Sequence, residues 1–106
     1  MARRSKPKFY VALQKRHSDV FGAMEKLGKA IRNAGPLDAR TAHLIGLAAA
    51  AALRSEGAVH SHARRALDAG VAATEIRHAL LLLLSTIGMP NVVAAMSWAE
   101  DVISKR

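Results

Sequence analysis

The segment SEGAVHSHARRALDAG, residues 55–70, is the most informative part of this chain. It is rich in alanine, the strongest helix former, and it ends at Gly70, the residue type that most often follows a helix C-terminus. We therefore predict a helix over about 55–69 whose small side chains allow neighbouring helices to approach closely.

Two helices are predicted in the first third of the chain. The first is short and covers about residues 8–16. The second begins at Ser18, a good N-cap, and ends at Gly35-Pro36, a common sequence after a helix C-terminus. Its apolar residues recur at the spacing of an amphipathic helix and are Phe21, Met24, Leu27 and Ile31.

The remaining segments are also helical in pattern. A helix capped by Asp38 runs to about Leu53 and is apolar on nearly all sides, so we expect it to be buried in the domain or in a subunit interface. A leucine-rich helix covers about 73–87, and a last helix begins at Pro90 and runs through Val102. No alternating strand pattern is present. The predicted fold class is all-α, a compact bundle of about five helices.

Composition limits the possible functions. The chain has 106 residues, enough for one domain, and with 51% hydrophobic but only 4% aromatic residues its core must consist of Ala, Leu, Val, Ile and Met. It has no cysteine, which excludes disulfides, thiolate metal ligands and thiol peroxidase chemistry. No apolar run reaches the roughly 18 residues that span a bilayer, and no secretory signal is present. We expect no membrane contact and a cytoplasmic location.

Positive charge is concentrated at the N-terminus. The net charge is +8, and residues 1–17 contain six bases and no acid, against ten bases and eight acids in the rest. We therefore divide the chain into a basic N-terminal arm with a short helix, 1–17, and a helical domain, 18–106. The arm is a basis for nonspecific nucleic-acid binding, but no recognition motif or aromatic array accompanies it, so we favour a solvated tail.

From Leu37 to Trp98 the chain resembles the carboxymuconolactone decarboxylase and alkylhydroperoxidase (AhpD-like) superfamily. The resemblance is carried by three spaced motifs: the run from His62 to Gly70, of the form His-x-x-Arg-Ala-Leu-x-x-Gly, then Glu75-Ile76-Arg77, and Gly88-Met89-Pro90. It implies an AhpD-like helical fold and a trimeric or hexameric assembly with active sites near subunit contacts.

The peroxidase branch of this superfamily uses Cys-x-x-Cys, a histidine four residues later and a glutamate on the preceding helix. The matching positions here are Ser55, Ala58, His62 and His43. A serine and an alanine cannot form or resolve a disulfide, so the peroxidase reaction is excluded while the histidine is retained.

The decarboxylase branch works without the thiol pair, and it implies proton transfer on a small carboxylated or lactone substrate. Histidine is the side chain that titrates near neutral pH, so His62 is the first catalytic candidate and His43 its partner. Glu56 is the third catalytic candidate, although it is also placed to pair with His60 on the helix surface. An anionic substrate would be bound by Ser55, Arg64 and Arg65.

Each of these residues also has a purely structural interpretation. His62 and His43 are residues that pack or form hydrogen bonds in many helical domains, and the two arginines can be solvated or bridge acids between subunits. His60 and His62, two residues apart, point about 200° from each other on a helix, so they cannot chelate one ion. We predict no metal and no cofactor.

Assembly and function follow from these observations as expectations. The apolar helix 44–53, the leucine-rich segment 80–84 and the apolar residues 92–98 exceed what one small monomer can cover, which favours a homo-oligomer, a trimer or a hexamer. Our first hypothesis is a decarboxylase-like lyase that uses His62. The alternative is a catalytically inert AhpD-like oligomer that binds a ligand or serves a structural role. A nucleic-acid accessory protein is the third.

Overall fold

A computed structural model of the protein describes residues 6–105, so Arg3 and Arg4 of the basic arm and Arg106 lie outside the described residues. The described part is all-helical, as predicted. It contains seven helices: α1 (Lys8–Arg16), α2 (Ser18–Arg32), α3 (Ala39–Ala52), α4 (Glu56–Asp68), α5 (Ala73–Leu81), α6 (Leu84–Ile87) and α7 (Met89–Ile103).

The domain from residue 18 onward has six helices in its described part instead of about five, because the leucine-rich segment breaks in two; α1 belongs to the N-terminal arm. Leu83 donates its N–H to the carbonyl of Leu80 at 3.1 Å, and Thr86 donates to Leu83 at 2.8 Å. These bonds span three residues instead of four, which tightens the backbone between α5 and α6. The segment predicted as one helix over 73–87 is therefore a helix followed by a single further turn.

Two helix starts are capped by side chains, and one of these caps, at Asp38, was predicted from the sequence. Asp38 Oδ1 accepts the backbone N–H of Thr41 at 2.8 Å, which confirms its predicted role as the N-cap of α3. Ser55 Oγ accepts the N–H of Ala58 at 3.3 Å and caps α4. Each cap satisfies an N–H that would otherwise lack a partner in the first helical turn.

Ser18 does not cap α2, contrary to our prediction; it is the first helical residue. His17 takes the cap position because α1 and α2 meet there: its N–H bonds to the carbonyl of Leu13 at 2.9 Å, and its carbonyl accepts from Phe21 at 3.0 Å. Only one residue separates the two helices. At its other end α2 stops at Arg32, before the Gly35-Pro36 pair expected to end it.

The core lies among α3, α4, α5 and α7. Its buried residues are aliphatic, as the composition predicted: Leu47, Ala50, Ala51, Val59, Ala63, Ala66, Leu67, Val71, Ile76, Leu80, Ala95, Ala99 and Val102. Alanines occupy many of the positions where α4 faces α3 and α7, so these helix backbones lie close together. Ion pairs reinforce this packing at the surface, where Arg40 binds Glu75 at 2.7 Å and Arg77 binds Glu100 at 2.8 Å.

Helix α2 contributes no buried residue to this core. Phe21 makes an edge-to-face contact with Tyr10 of α1, with ring centroids 5.5 Å apart. Four other apolar side chains lie along one side of the helix and are 51–63% exposed: Val20, Met24, Leu27 and Ile31. We call these four residues the α2 stripe. The spacing predicted an amphipathic helix correctly, but the single chain does not cover its apolar side.

Helix α3 is also less buried than its composition suggests. Ile45 is 53% exposed, and Leu53, just after the helix, is 79% exposed. Both residues belong to the segment that we expected to be buried in the domain or in an interface. Among the described helices, none has the length and apolar character needed to cross a membrane.

Candidate functional site

The side chain of His62 lies on the side of α4 that faces α3. Gly46 of α3 is directly beneath the imidazole: a Cβ added at Gly46 would lie 2.6 Å from both Nδ1 and Cε1 of the ring and 3.2 Å from Nε2. Real Cβ atoms do not approach other atoms this closely. The ring therefore lies against the α3 backbone in a space that only glycine leaves open.

The two ring nitrogens of His62 have different surroundings. Nδ1 is enclosed and, within the described residues, has no hydrogen-bond partner. An unsatisfied buried polar atom costs about 1–3 kcal/mol, so native proteins contain few of them. Because Nδ1 is enclosed, any proton exchange between this ring and a substrate would have to pass through Nε2.

The electrostatic surroundings of His62 favour a neutral ring. Burial lowers its pKa below the ordinary value of 6.5, and the positive charges of Arg65 and His43 lower it further. The pKa of His43 is lowered by burial, by Arg32 and by Arg65. Both imidazoles are therefore neutral at neutral pH, which is the form that accepts a proton.

One helix register explains why these groups meet. Helices α3 and α4 are joined by a tight turn at residues 53–55 and run back along each other. Gly46 faces His62, and a step of three residues in opposite directions along the two helices leads to His43 and Arg65. We call His43, His62 and Arg65 the histidine site. The sequence analysis proposed all three residues, and the structure brings them together.

The other three proposed residues lie elsewhere. Ser55 precedes His62 by seven residues, about 10 Å along the helix axis, and its Oγ caps α4. Arg64, two residues after His62, points to a different side of the helix. Glu56 lies beside His60, with Oε2 3.9 Å from the Nε2 of that ring. The catalytic or binding roles of all three residues remain predictions; within the described residues, the polar partners of Ser55 and Glu56 are Ala58 and His60, not His62.

Two contributors to the site were missed at the level of sequence. Gly46 makes room for the imidazole, and Arg32, the last residue of α2, acts on the pKa of His43. The sequence did contain a signal for Gly46, because it is a glycine in the middle of an apolar, alanine-rich helix. Glycine destabilises a helix, so its presence there indicates a packing or functional constraint. No local pattern pointed to Arg32.

The contact between Gly46 and His62 predicts that Gly46→Ala destabilises the protein when the His62 ring is present and stabilises it when the ring is removed. We expect Gly46→Ala to lower the free energy of unfolding by up to about 2 kcal/mol, because overpacking costs about 1–3 kcal/mol and the better helix propensity of alanine returns about 1 kcal/mol. In a His62→Ala background the clash is gone, and the same change should stabilise the protein. Urea unfolding monitored by circular dichroism measures both values.

Gly22→Ala is the matched control, because Gly22 is also helical and an added Cβ there meets nothing within 4 Å. It should stabilise the protein in either background. If Gly46→Ala stabilised the otherwise unchanged protein as much as Gly22→Ala does, the ring would not lie against Gly46.

The comparisons with known proteins agree with this architecture. The model of the carboxymuconolactone decarboxylase family matches residues 18–101, most of the chain and all residues of the histidine site. The protein belongs to the carboxymuconolactone decarboxylase family, as the sequence motifs indicated. A search of curated proteins found no match.

Proposed function

We propose that the protein is a decarboxylase-type lyase in which His62 transfers protons on a small carboxylated or lactone substrate. The observation that supports this proposal is the His62 ring itself: Nδ1 is enclosed without a partner among the described residues, and a second imidazole and a guanidinium lie near enough to lower the pKa of the ring. Perturbed titratable groups gathered in one place are characteristic of catalytic sites.

Each residue of the histidine site has a defined role in this proposal. Arg65 is exposed and would bind the carboxylate of an anionic substrate. When the substrate carboxylate leaves as carbon dioxide, the electron pair of the broken carbon–carbon bond passes into the conjugated lactone carbonyl. The remaining carbon skeleton then takes a proton. Before the bond breaks, neutral His62 accepts the proton of the substrate carboxyl group through Nε2; it then returns that same proton to the carbon skeleton, and His43 supports the transfer.

A direct test is to follow carbon dioxide release from a panel of small lactones that carry a ring carboxylate. We expect turnover that falls as pH drops through a pKa below 6.5, because the base form of His62 is lost there. The folded protein also loses stability over this pH range. Because the pKa of His62 is lowered in the folded state, the unfolded chain takes up the proton first as pH falls. The free energy of unfolding is therefore largest above pH 6.5 and decreases progressively below it. Circular dichroism at each pH separates the two effects.

Turnover that increases as pH falls from 7 to 5 would contradict the role of His62 as a base. Failure of the whole panel would favour the alternative, a catalytically inert family member that binds a ligand or serves a structural role. In that case, the unsatisfied Nδ1 and the space at Gly46 would be inherited features without a present reaction.

We further propose that the protein assembles as a homo-oligomer, a trimer or a hexamer, through the α2 stripe. Single exposed apolar side chains are common on protein surfaces. A continuous apolar stripe is unusual when the helix that carries it, like α2, has no buried residue in its own chain. Because Arg32 at the end of α2 acts on His43, such an interface would adjoin the histidine site. A cytoplasmic location and a solvated, non-nucleic-acid role for the basic arm remain predictions.

A further inference from the structure

Glu56, His60 and Asp101 form a second cluster of chemically active side chains, on a different side of α4 from His62. Glu56 and His60 are one helical turn apart and therefore share a side of α4, and Asp101 comes from α7. One side chain of α7 is thus added to a pair within α4, the helix against which α7 packs. This arrangement is separate from the histidine site.

The distances within the cluster match the coordination sphere of a small divalent ion. His60 Nε2 is 3.0 Å from Asp101 Oδ2 and 3.9 Å from Glu56 Oε2, and one ligand atom of each residue lies within 4.8 Å of the other two. Zinc binds nitrogen and oxygen ligands at about 2.0–2.2 Å, so its ligand atoms lie roughly 3–4 Å from one another. Small side-chain rotations bring all three atoms to such a distance from one centre.

A hydrogen bond alone does not use all three groups. Nε2 of His60 carries at most one proton, and only Asp101 is close enough to receive it. Glu56 Oε2, at 3.9 Å from the same nitrogen, is beyond hydrogen-bond distance but within the range of an ion pair. A cation placed between the groups would be bound by the nitrogen lone pair and by both carboxylates at once.

The scaffold holds these groups in place. His60 is flanked on α4 by the buried residues Val59 and Ala63, and Asp101 is flanked on α7 by the buried residues Ala99 and Val102. The ring of His60 is itself largely covered, with 27% of its side chain exposed. Two carboxylates and one neutral imidazole carry a charge of −2, which matches a divalent cation.

Contrary to the expectation of no metal from the sequence alone, we propose that Glu56, His60 and Asp101 are the three protein ligands of a divalent transition-metal site that links α4 to α7. One imidazole and two carboxylates suit Zn²⁺ or Co²⁺, with water completing the coordination. The ion binds the folded chain, where α4 and α7 are in contact, more tightly than the unfolded chain. Metal binding therefore raises the thermal stability of the protein.

The full chain, freed of metal by dialysis against a chelator, is titrated with Co²⁺ and followed by visible absorption, and with Zn²⁺ by calorimetry. We expect saturable binding of one ion per chain and a higher melting temperature in its presence. His60→Ala, Glu56→Gln and Asp101→Asn should each weaken binding by at least about tenfold. Asp101→Asn is the most informative variant, because an amide oxygen still accepts a hydrogen bond from His60.

Two controls decide the result. His78→Ala removes an exposed histidine of α5 and should leave binding unchanged. The double variant His43→Ala/His62→Ala should also bind the ion with unchanged affinity. Loss of binding in that double variant would assign the metal to the histidine site. That result would overturn the proposal. So would unchanged affinity in Asp101→Asn, or no saturable binding by the unsubstituted chain. The cluster would then be a hydrogen bond that connects α4 to α7.

Discussion

Replacing His62 with alanine is expected to lower kcat/KM on a carboxylated lactone by about 10²- to 10⁴-fold, the usual contribution of a general acid–base residue. The reason is that Nε2 of His62 is the proposed proton-transfer atom, and the atoms nearest to the space above Gly46 all belong to the His62 ring. Steady-state kinetics at pH 7 measure the change. His78→Ala, which removes an exposed imidazole on α5, should leave kcat/KM unaltered.

The fold of the His62 variant needs its own measurement. Removing the ring empties the space above Gly46 but also removes an unsatisfied polar atom, so the two contributions to stability oppose each other. His62→Gln, which keeps polar bulk without a group that titrates near neutral pH, should lose activity to a similar extent. Near-normal kcat/KM in either variant, with native helical content, would exclude His62 as the acid–base residue.

The second large effect concerns the α2 stripe. We expect Met24→Glu/Leu27→Glu to convert the proposed homo-oligomer into monomers at micromolar concentration. Full burial of an apolar side chain of this size contributes about 1.5–3 kcal/mol, and each substitution would instead place a carboxylate in an apolar interface. Size-exclusion chromatography with light scattering measures the mass directly.

Lys26→Gln/Lys29→Gln is the matched control on the same helix. It changes the net charge by the same amount as the two glutamates but alters exposed residues away from the stripe. This variant should keep the assembly intact. A monomeric mass for the unsubstituted protein, or an unchanged mass for Met24→Glu/Leu27→Glu, would show that the stripe does not hold subunits together.

Most helix starts and ends could be predicted from residues close to them in the sequence. The cap at Asp38, the end of α4 before Gly70 and the start of α7 near Pro90 were all predicted, because capping and backbone preferences depend on side chains within about one helical turn. The errors at Ser18 and at the α5–α6 break arose where adjoining helices share residues, so that no separate cap or terminator is present. The family could also be identified, since its motifs are spaced along one chain.

The candidate sites could be predicted only in part. His62 and His43 were selected from family positions, but Glu56 and Ser55 were grouped with them although α4 directs these side chains elsewhere. Asp101, far from His60 in sequence, could not be connected with it by any local pattern. Proximity between separate helices depends on how their surfaces interlock, which no single segment specifies.

The chain's residue order establishes an all-helical, cysteine-free member of its family, because helix formation and thiol chemistry depend on residue types and short spacings. The folded arrangement alone places glycine beneath the imidazole, joins an aspartate of the last helix to a histidine of the fourth, and leaves the side of α2 uncovered. Those relations arise from packing between distant segments, where a shift of one residue would direct different side chains toward one another.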